Sequence, residues 1–200
     1  MIKSHIAIMD ELKSYASPKS KLTRLIRSGD LIQIRRGLFV DDRYTSLRSL
    51  APVVYGPSYI SFQSALAIWN LIPERVPVMI CASFNKNKDK VYHTPLGEFR
   101  YLYLPNNVYP YGIQLEKLDG MGYLVASPEK ALCDMVYKES SLLNVDEMEA
   151  YLLENLRIER ERLLQLDRDF ISWIAPRYHR KSLITLAQWF DGKRRTSYGQ

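Results

Sequence analysis

The sequence predicts an α+β protein: a small basic unit of helices and a two-stranded ribbon, then a larger mixed domain with an antiparallel sheet and C-terminal helices. Three observations carry that prediction. Residues 17–40, SPKSKLTRLIRSGDLIQIRRGLFV, pass from a helical rhythm to two β-prone runs across Gly29 and an Arg36-Gly37 turn. The middle of the chain holds β-prone runs bounded by turn residues, among them Asp119-Gly120. From Asp146 the apolar spacing is helical again to about Phe190. The boundary between the two units is expected after residue 51: residues 1–51 form the small unit, and residues 52–200 form the larger one, mixed to about 140 and helical from about 146 to 190.

Taken in order, Ile2, Ile6, Met9, Leu12 and Tyr15 recur at helical spacing, so residues 2–15 read as a helix. Ser17 then suits an N-cap and Pro18 the first helical position, where a missing amide hydrogen costs nothing. Gly29 suits the C-terminal stop. Leu31–Arg35 and Leu38–Val40 follow as the ribbon. The stretch to Pro57 reads as a loop with a short linking helix, and Ser61–Asn70 as a helix capped by Ser58 or Ser61. Strands are expected over Val78–Phe84, Glu98–Leu104, Ile113–Leu118 and Tyr123–Ala126. Pro128–Tyr137 opens with a second Ala-Ser-Pro, an echo of residues 16–18. The C-terminal helical pattern is interrupted at Pro176, and Asp191–Gln200 is expected to fray.

Composition narrows the functional classes. The hydrophobic and charged fractions, 46% and 25%, are those of an ordinary globular protein able to build a core without disulfides or metals. The apolar runs are too short to cross a bilayer, and the N-terminus lacks the features of a signal peptide, so the cytoplasm is the default location. Cys81 and Cys133 read as free buried thiols, one on a strand and one on a helix. His5, His93 and His179 stand apart from one another and from both cysteines, so no metal and no cofactor is expected.

Charge is more telling in its distribution than in its total. Residues 1–40 hold eight Lys/Arg against three Asp/Glu, a net of +5 out of +6 for the chain. A local excess of this kind is what a nucleic-acid footprint requires. On a wheel at about 100° per residue, Leu22, Leu25 and Ile26 share one side of the 17–29 helix. Ser20, Thr23, Arg24 and Arg27 share the other, with Lys19 and Lys21 on the flanks. Arg forks onto a guanine edge in the major groove, Ser and Thr reach phosphates or bases, and Lys contacts phosphates. Gln33, Arg35 and Arg36 extend the set into the ribbon, where a wing meets phosphate or the minor groove. These nine residues are the candidate DNA contacts. On Pro128–Tyr137, by contrast, Glu129, Lys130, Asp134 and Lys138 nearly balance opposite an apolar face, and that helix reads as scaffold.

Three ordered blocks, KLTRLIRSGDLIQIRRGLFV, YGPSYISFQSALAIWNLIPERVP and YLVASPEKALCDMVY, resemble the AbiEi-type antitoxins of type IV (abortive infection) toxin–antitoxin systems. The blocks lie within roughly the first 140 residues, and the helical remainder resembles the family less distinctly. The resemblance implies an N-terminal winged helix-turn-helix that binds the protein's own promoter as an autorepressor. It further implies a C-terminal domain that counters a nucleotidyltransferase-type toxin, without need of a stable complex with it. By motif, Ser17–Ser28 is then the recognition helix, and Arg35, Arg36 and Gly37 are the wing. Such units read double-stranded inverted repeats, so two copies per operator are expected. The unit is abbreviated, since one helix rather than two precedes the recognition helix; its core is expected to be completed by the larger domain or by a second subunit.

Catalysis finds little support in the sequence. There is no nucleophile elbow, no phosphate-cradling glycine loop and no paired-aspartate metal motif, so the chain is not expected to be an enzyme. The carboxylates of DEMEAYLLENLRIERERL read as a solvated helix face, with Glu159 three residues before Arg162. Glu129 sits where a helix dipole favours an acid. The tyrosines of the middle region, including Tyr92, Tyr101, Tyr103, Tyr109, Tyr111 and Tyr123, read as cross-strand packing, with an RNA-stacking platform as the weaker reading. Arg177–Lys181 forms a second basic cluster, either a contact surface or a solvated loop. Two alternatives to the DNA-binding antitoxin stay open: a protein-interaction module, and a nucleic-acid-modifying enzyme with a dispersed site in the larger domain.

Overall fold

A computed structural model describes residues 1–74 and 76–197 and has an α+β architecture. The N-terminal unit is β1 (Ile2–Ser4), α1 (His5–Glu11), α2 (Pro18–Ser28), β2 (Ile32–Arg35) and β3 (Leu38–Val40). The expected first helix over residues 2–15 is therefore shorter, and its start is a strand. Ile2, Lys3 and Ser4 pair antiparallel with Val40, Phe39 and Leu38 and complete a three-stranded sheet, β1-β3-β2. Ser4 then caps α1 by accepting the Ala7 N–H at 3.2 Å. Helical periodicity alone did not reveal that pairing with β3, 35 residues on, satisfies these amides better than a longer helix would.

Both faces of this small sheet are used, which explains why all three residues of β3 are buried. Phe39 points to a satellite core with Ile8, Leu12, Leu22 and Leu31. Leu38 and Val40, with Ile34 of β2, belong instead to the main core of the larger unit. The alternation of a strand thus sends successive side chains into two different cores. The ribbon is anchored on the larger unit through Ile34, Leu38 and Val40, whereas the satellite core under α1 and α2 draws only on residues of the first forty.

Helix α3 (Leu47–Val54) contains the expected boundary, and its Leu50, Ala51 and Val54 are buried in the main core. Next come β4 (Ser58–Ile60), α4 (Phe62–Ile68), β5 (Met79–Ser83), β6 (Lys90–Thr94), β7 (Gly97–Tyr103), β8 (Ile113–Leu118) and β9 (Met121–Ala126). The sheet runs β6-β7-β5-β4-β9-β8. It is mixed, and the antiparallel expectation is corrected: β5 with β7, and β4 with β9, are parallel pairs. Two strands account for the difference. β4 is three buried residues between a loop and a helix, too short to show alternation. β6 begins in a Lys-rich run yet pairs antiparallel with β7. The Asp119-Gly120 hairpin turn stands as expected, with both residues at positive φ (51° and 77°).

Register and alternation place the helices around this sheet. Ile60, Cys81, Tyr101 and Val125 are aligned across four strands and so face one side. There the Tyr101 hydroxyl donates to the Ala51 carbonyl of α3 at 2.6 Å. Tyr59 faces the other side, toward α5 (Pro128–Lys138). The C-terminal helices are α6 (Val145–Ala150), α7 (Arg160–Leu164), α8 (Arg168–Ile174) and α9 (Lys181–Ser197), with a wider turn at Tyr151–Asn155 and a tighter one at Ala175–Tyr178. Helix α9 continues through the segment expected to fray, as far as Ser197; residues 198–200 lie outside the described residues. The DEMEAYLLENLRIERERL stretch is two helices rather than one, broken around Arg157, which has φ 51°. Its Glu159–Arg162 pair forms on the surface, at 3.5 Å.

Candidate nucleic-acid interface

Helix α2 starts at Pro18 and stops at Gly29, whose φ of 83° is the left-handed conformation that glycine adopts without a Cβ clash. Its apolar side packs as the wheel requires: Leu22 is buried, Leu25 and Ile26 are half-buried against the satellite core. Lys19, Ser20, Thr23, Arg24 and Arg27 are exposed and Lys21 is half-buried. One detail differs from expectation. Ser17 occupies the cap position, but its hydroxyl makes no capping bond and donates instead to Ser20 Oγ at 2.8 Å. The Thr23 hydroxyl donates to the Lys19 carbonyl at 3.1 Å, which leaves its oxygen lone pairs open as acceptors.

The acids of the first forty residues each have a partner other than the basic residues of this face. Glu11 takes the Lys3 ammonium at 2.8 Å, Asp10 takes Lys13 at 3.0 Å, and Asp30 accepts from the Ser28 hydroxyl at 2.7 Å. Asp41 is paired with the N-terminal ammonium, which holds its carboxyl below the usual range. Among the described residues no carboxylate forms an ion pair with Lys19, Lys21, Arg24, Arg27, Arg35 or Arg36. The Lys21 ammonium lies 5.2 Å from the centre of the Tyr15 ring. The cations of α2 therefore lack carboxylate ion-pair partners within the described residues, a surface suited to a polyanion.

The ribbon is less uniform. Arg36 and Gln33 are exposed, and Gly37, at φ 82°, allows the tight turn whose carbonyl accepts the His5 N–H at 2.9 Å. Arg35 is exposed too, but its guanidinium donates to the Val53 carbonyl at 3.1 Å and to the Arg36 carbonyl at 3.3 Å. It ties the ribbon to α3. The structure thus places seven of the nine candidate residues exposed on one unit, sets Lys21 half-buried against Tyr15, and gives Arg35 a second role the sequence did not signal.

The larger unit holds polar chemistry that the wheel misread. Lys130 and Asp134 are not on a solvated face of α5; both are fully buried. The Lys130 ammonium donates to Asp134 Oδ1 at 2.5 Å and to the Tyr178 hydroxyl at 2.7 Å. Asp134 Oδ1 also accepts from the Tyr178 hydroxyl, while Oδ2 accepts from Tyr59 at 2.9 Å and Ser61 at 2.7 Å. The ammonium also sits over the Tyr59 and Tyr178 rings, at 5.7 and 4.9 Å. Burial, then the neighbouring Asp134 charge, pushes both phenols well above the usual tyrosine range. Four donors occupy the carboxylate's acceptor positions, so this network is satisfied internally and joins β4, α5 and the Ala175–Tyr178 turn.

The remaining candidates are bound into packing. Tyr59 and Tyr101 are core residues; Tyr92 and Tyr101 meet edge to face across β6 and β7 at 5.9 Å, the cross-strand packing expected, and Tyr55 at the end of α3 joins them at 5.2–5.6 Å. In the Arg177–Lys181 cluster, Tyr178 belongs to the buried network, Arg177 lies 3.9 Å from the Trp173 ring centre, and Arg180 lies 5.2 Å from that of Tyr137. Cys81 and Cys133 are free and buried, which raises both thiols. No group of three His, Cys, Asp or Glu with metal-binding geometry occurs among the described residues, and no described helix is long and apolar enough to cross a membrane. The chain matches no protein-family model and no curated protein.

Proposed function

We propose that this protein is a DNA-binding autorepressor and the antitoxin of a type IV toxin–antitoxin system, with residues 1–40 acting as an abbreviated winged helix-turn-helix. The observation that carries the DNA-binding part is the α2 face: Ser20, Thr23, Arg24 and Arg27 exposed side by side, with no carboxylate partner for either arginine among the described residues. In this reading α2 enters the major groove, Arg24 and Arg27 read guanine edges, and Ser20 and Thr23 accept or donate at bases or phosphates. Lys19 and Lys21 hold phosphates on the flanks, and Arg36 with Gln33 sets the wing on the backbone. Arg35 contributes by fixing the ribbon against α3 through Val53. The antitoxin part rests on the resemblance of three sequence blocks to AbiEi-type antitoxins, and the opposed toxin would be of the nucleotidyltransferase type.

The test is a fluorescence-anisotropy titration of the full chain on the DNA immediately upstream of its gene. An Arg24→Ala, Arg27→Ala variant is expected to bind at least tenfold more weakly. If both arginines meet phosphates rather than bases, its log K against log salt slope should flatten by about 2 × 0.9. Equal binding by wild type and variant at low and moderate salt would refute the assignment. Co-expression with the adjacent gene tests the antitoxin reading: the wild-type chain should restore growth, and failure to do so against a toxic neighbour refutes that part alone.

A further inference from the structure

Outside the α2 face, a second cation-rich site lies beside the edge strand β6 of the large sheet, in a recess of about 600 Å³. That volume falls in the range of small-molecule sites, about 300–1,000 Å³. Its cations are Lys86, Lys88 and Lys90, spaced two apart between β5 and the start of β6, and its aromatic lining is Tyr55 and Tyr103. We propose that this cavity binds a free nucleoside triphosphate, its phosphates held by Lys86, Lys88 and Lys90 and its base placed against Tyr55 and Tyr103. The proposal goes beyond the DNA-binding reading and does not depend on it.

The one acid inside the lysine run, Asp89, is turned to other work: its Oδ1 accepts the Tyr103 N–H at 2.7 Å and lies 3.6 Å from the Lys138 ammonium. Among the described residues no carboxylate forms an ion pair with Lys86, Lys88 or Lys90, so three cations line one recess unpaired, an arrangement that favours an anion. The walls are held in place before any ligand arrives. Asn85 and Asn106 exchange hydrogen bonds at 3.2 and 3.3 Å, joining the loop after β5 to the loop after β7. Tyr55 is fixed by ring contacts with Tyr92 and Tyr101, and the Lys86 ammonium stands 5.3 Å from its ring centre. An aromatic face beside clustered ammoniums supplies both parts of a nucleotide's chemistry, a π-surface for the base and charge for the phosphates. A free nucleotide is favoured over a strand because the three lysines and both rings line one local recess, whereas strand binding calls for a groove that tracks the backbone.

Calorimetric titration of the full chain with ATP, GTP, CTP and UTP in turn, at low salt and without DNA, tests this. At least one triphosphate should bind at one site per chain. Its parent nucleoside should bind at least tenfold more weakly, and so should inorganic triphosphate. A Lys88→Ala, Lys90→Ala variant should lose at least tenfold in affinity with an unchanged urea midpoint, since both side chains are exposed. Tyr103→Phe should bind as wild type does and Tyr103→Ala more weakly. No saturation by any of the four at 1 mM, undiminished binding by the lysine variant, or inorganic triphosphate binding as tightly as the nucleotide would each overturn the proposal. So would displacement of the nucleotide by an equal concentration of a single-stranded oligonucleotide lacking a terminal phosphate, because the cavity would then be reading a polymer.

Discussion

Helices α2 and α5 have the same length, eleven residues, and the same Ala-Ser-Pro opening, and they meet opposite fates. Helix α2 rests one face on a small satellite core and leaves Lys19, Arg24 and Arg27 in solvent. Helix α5 is enclosed: seven consecutive residues, Lys130 to Val136, are buried among α4, α8, α9 and β9. The charges on α5 therefore had to be matched inside the protein, where an unpaired ion costs several kcal/mol. Those on α2 are left for a partner to match. A helical wheel ranks residues by face, but it does not say how many faces the rest of the chain will cover.

The contrast is best broken at the buried pair. Lys130→Met or Asp134→Leu alone should destabilise by about 3–5 kcal/mol, because each strands its partner in the core. The double variant should be less destabilised than the sum of the two, and urea unfolding of all three closes the cycle. If the single substitutions cost under about 1 kcal/mol, the pair is not buried as described. The same network predicts an alkaline limit. The Tyr59 and Tyr178 phenols are raised in the folded chain, so they stay protonated there while ionising near 10 when unfolded. Stability should accordingly fall as pH rises above about 10. Tyr59→Phe should show a shallower fall, measured by urea midpoints between pH 8 and 11.

The two helix openings differ in a way that a single atom tests. Ser127 accepts the Lys130 N–H at 3.2 Å and is a working cap, so Ser127→Ala should cost about 1 kcal/mol. Ser17 makes no such bond, and Ser17→Ala should change the urea midpoint little. A comparable loss at both sites would show that the openings are equivalent after all. The smallest effect on stability is expected at the basic face. Arg24→Ala and Arg27→Ala should each stay within about 0.5 kcal/mol of wild type, so any loss of DNA binding in them is a loss of contact rather than of fold.

Much of this was legible in the residues themselves. Helix α2 with its stop at Gly29, the ribbon turn at Gly37, the Asp119-Gly120 hairpin and the burial of both cysteines follow from local chemistry: glycine's access to positive φ, proline's missing N–H, and the period of apolar side chains. The cationic face of α2 was legible for the same reason, since only one side of that helix is apolar.

What the tertiary structure alone decided are the features made by residues distant in sequence. Ile2–Ser4 became a strand because β3, some 35 residues away, offered an edge. The sheet became mixed because β4 inserts between β5 and β9, and because β6 takes the edge beside β7 and leaves β7 parallel to β5. Arg35 became a brace because the Val53 carbonyl lies within reach, and the Lys130–Asp134 pair gained Tyr59 and Tyr178 once four elements closed around α5. In each case the free energy depends on which surfaces meet, and local propensity carries no term for that.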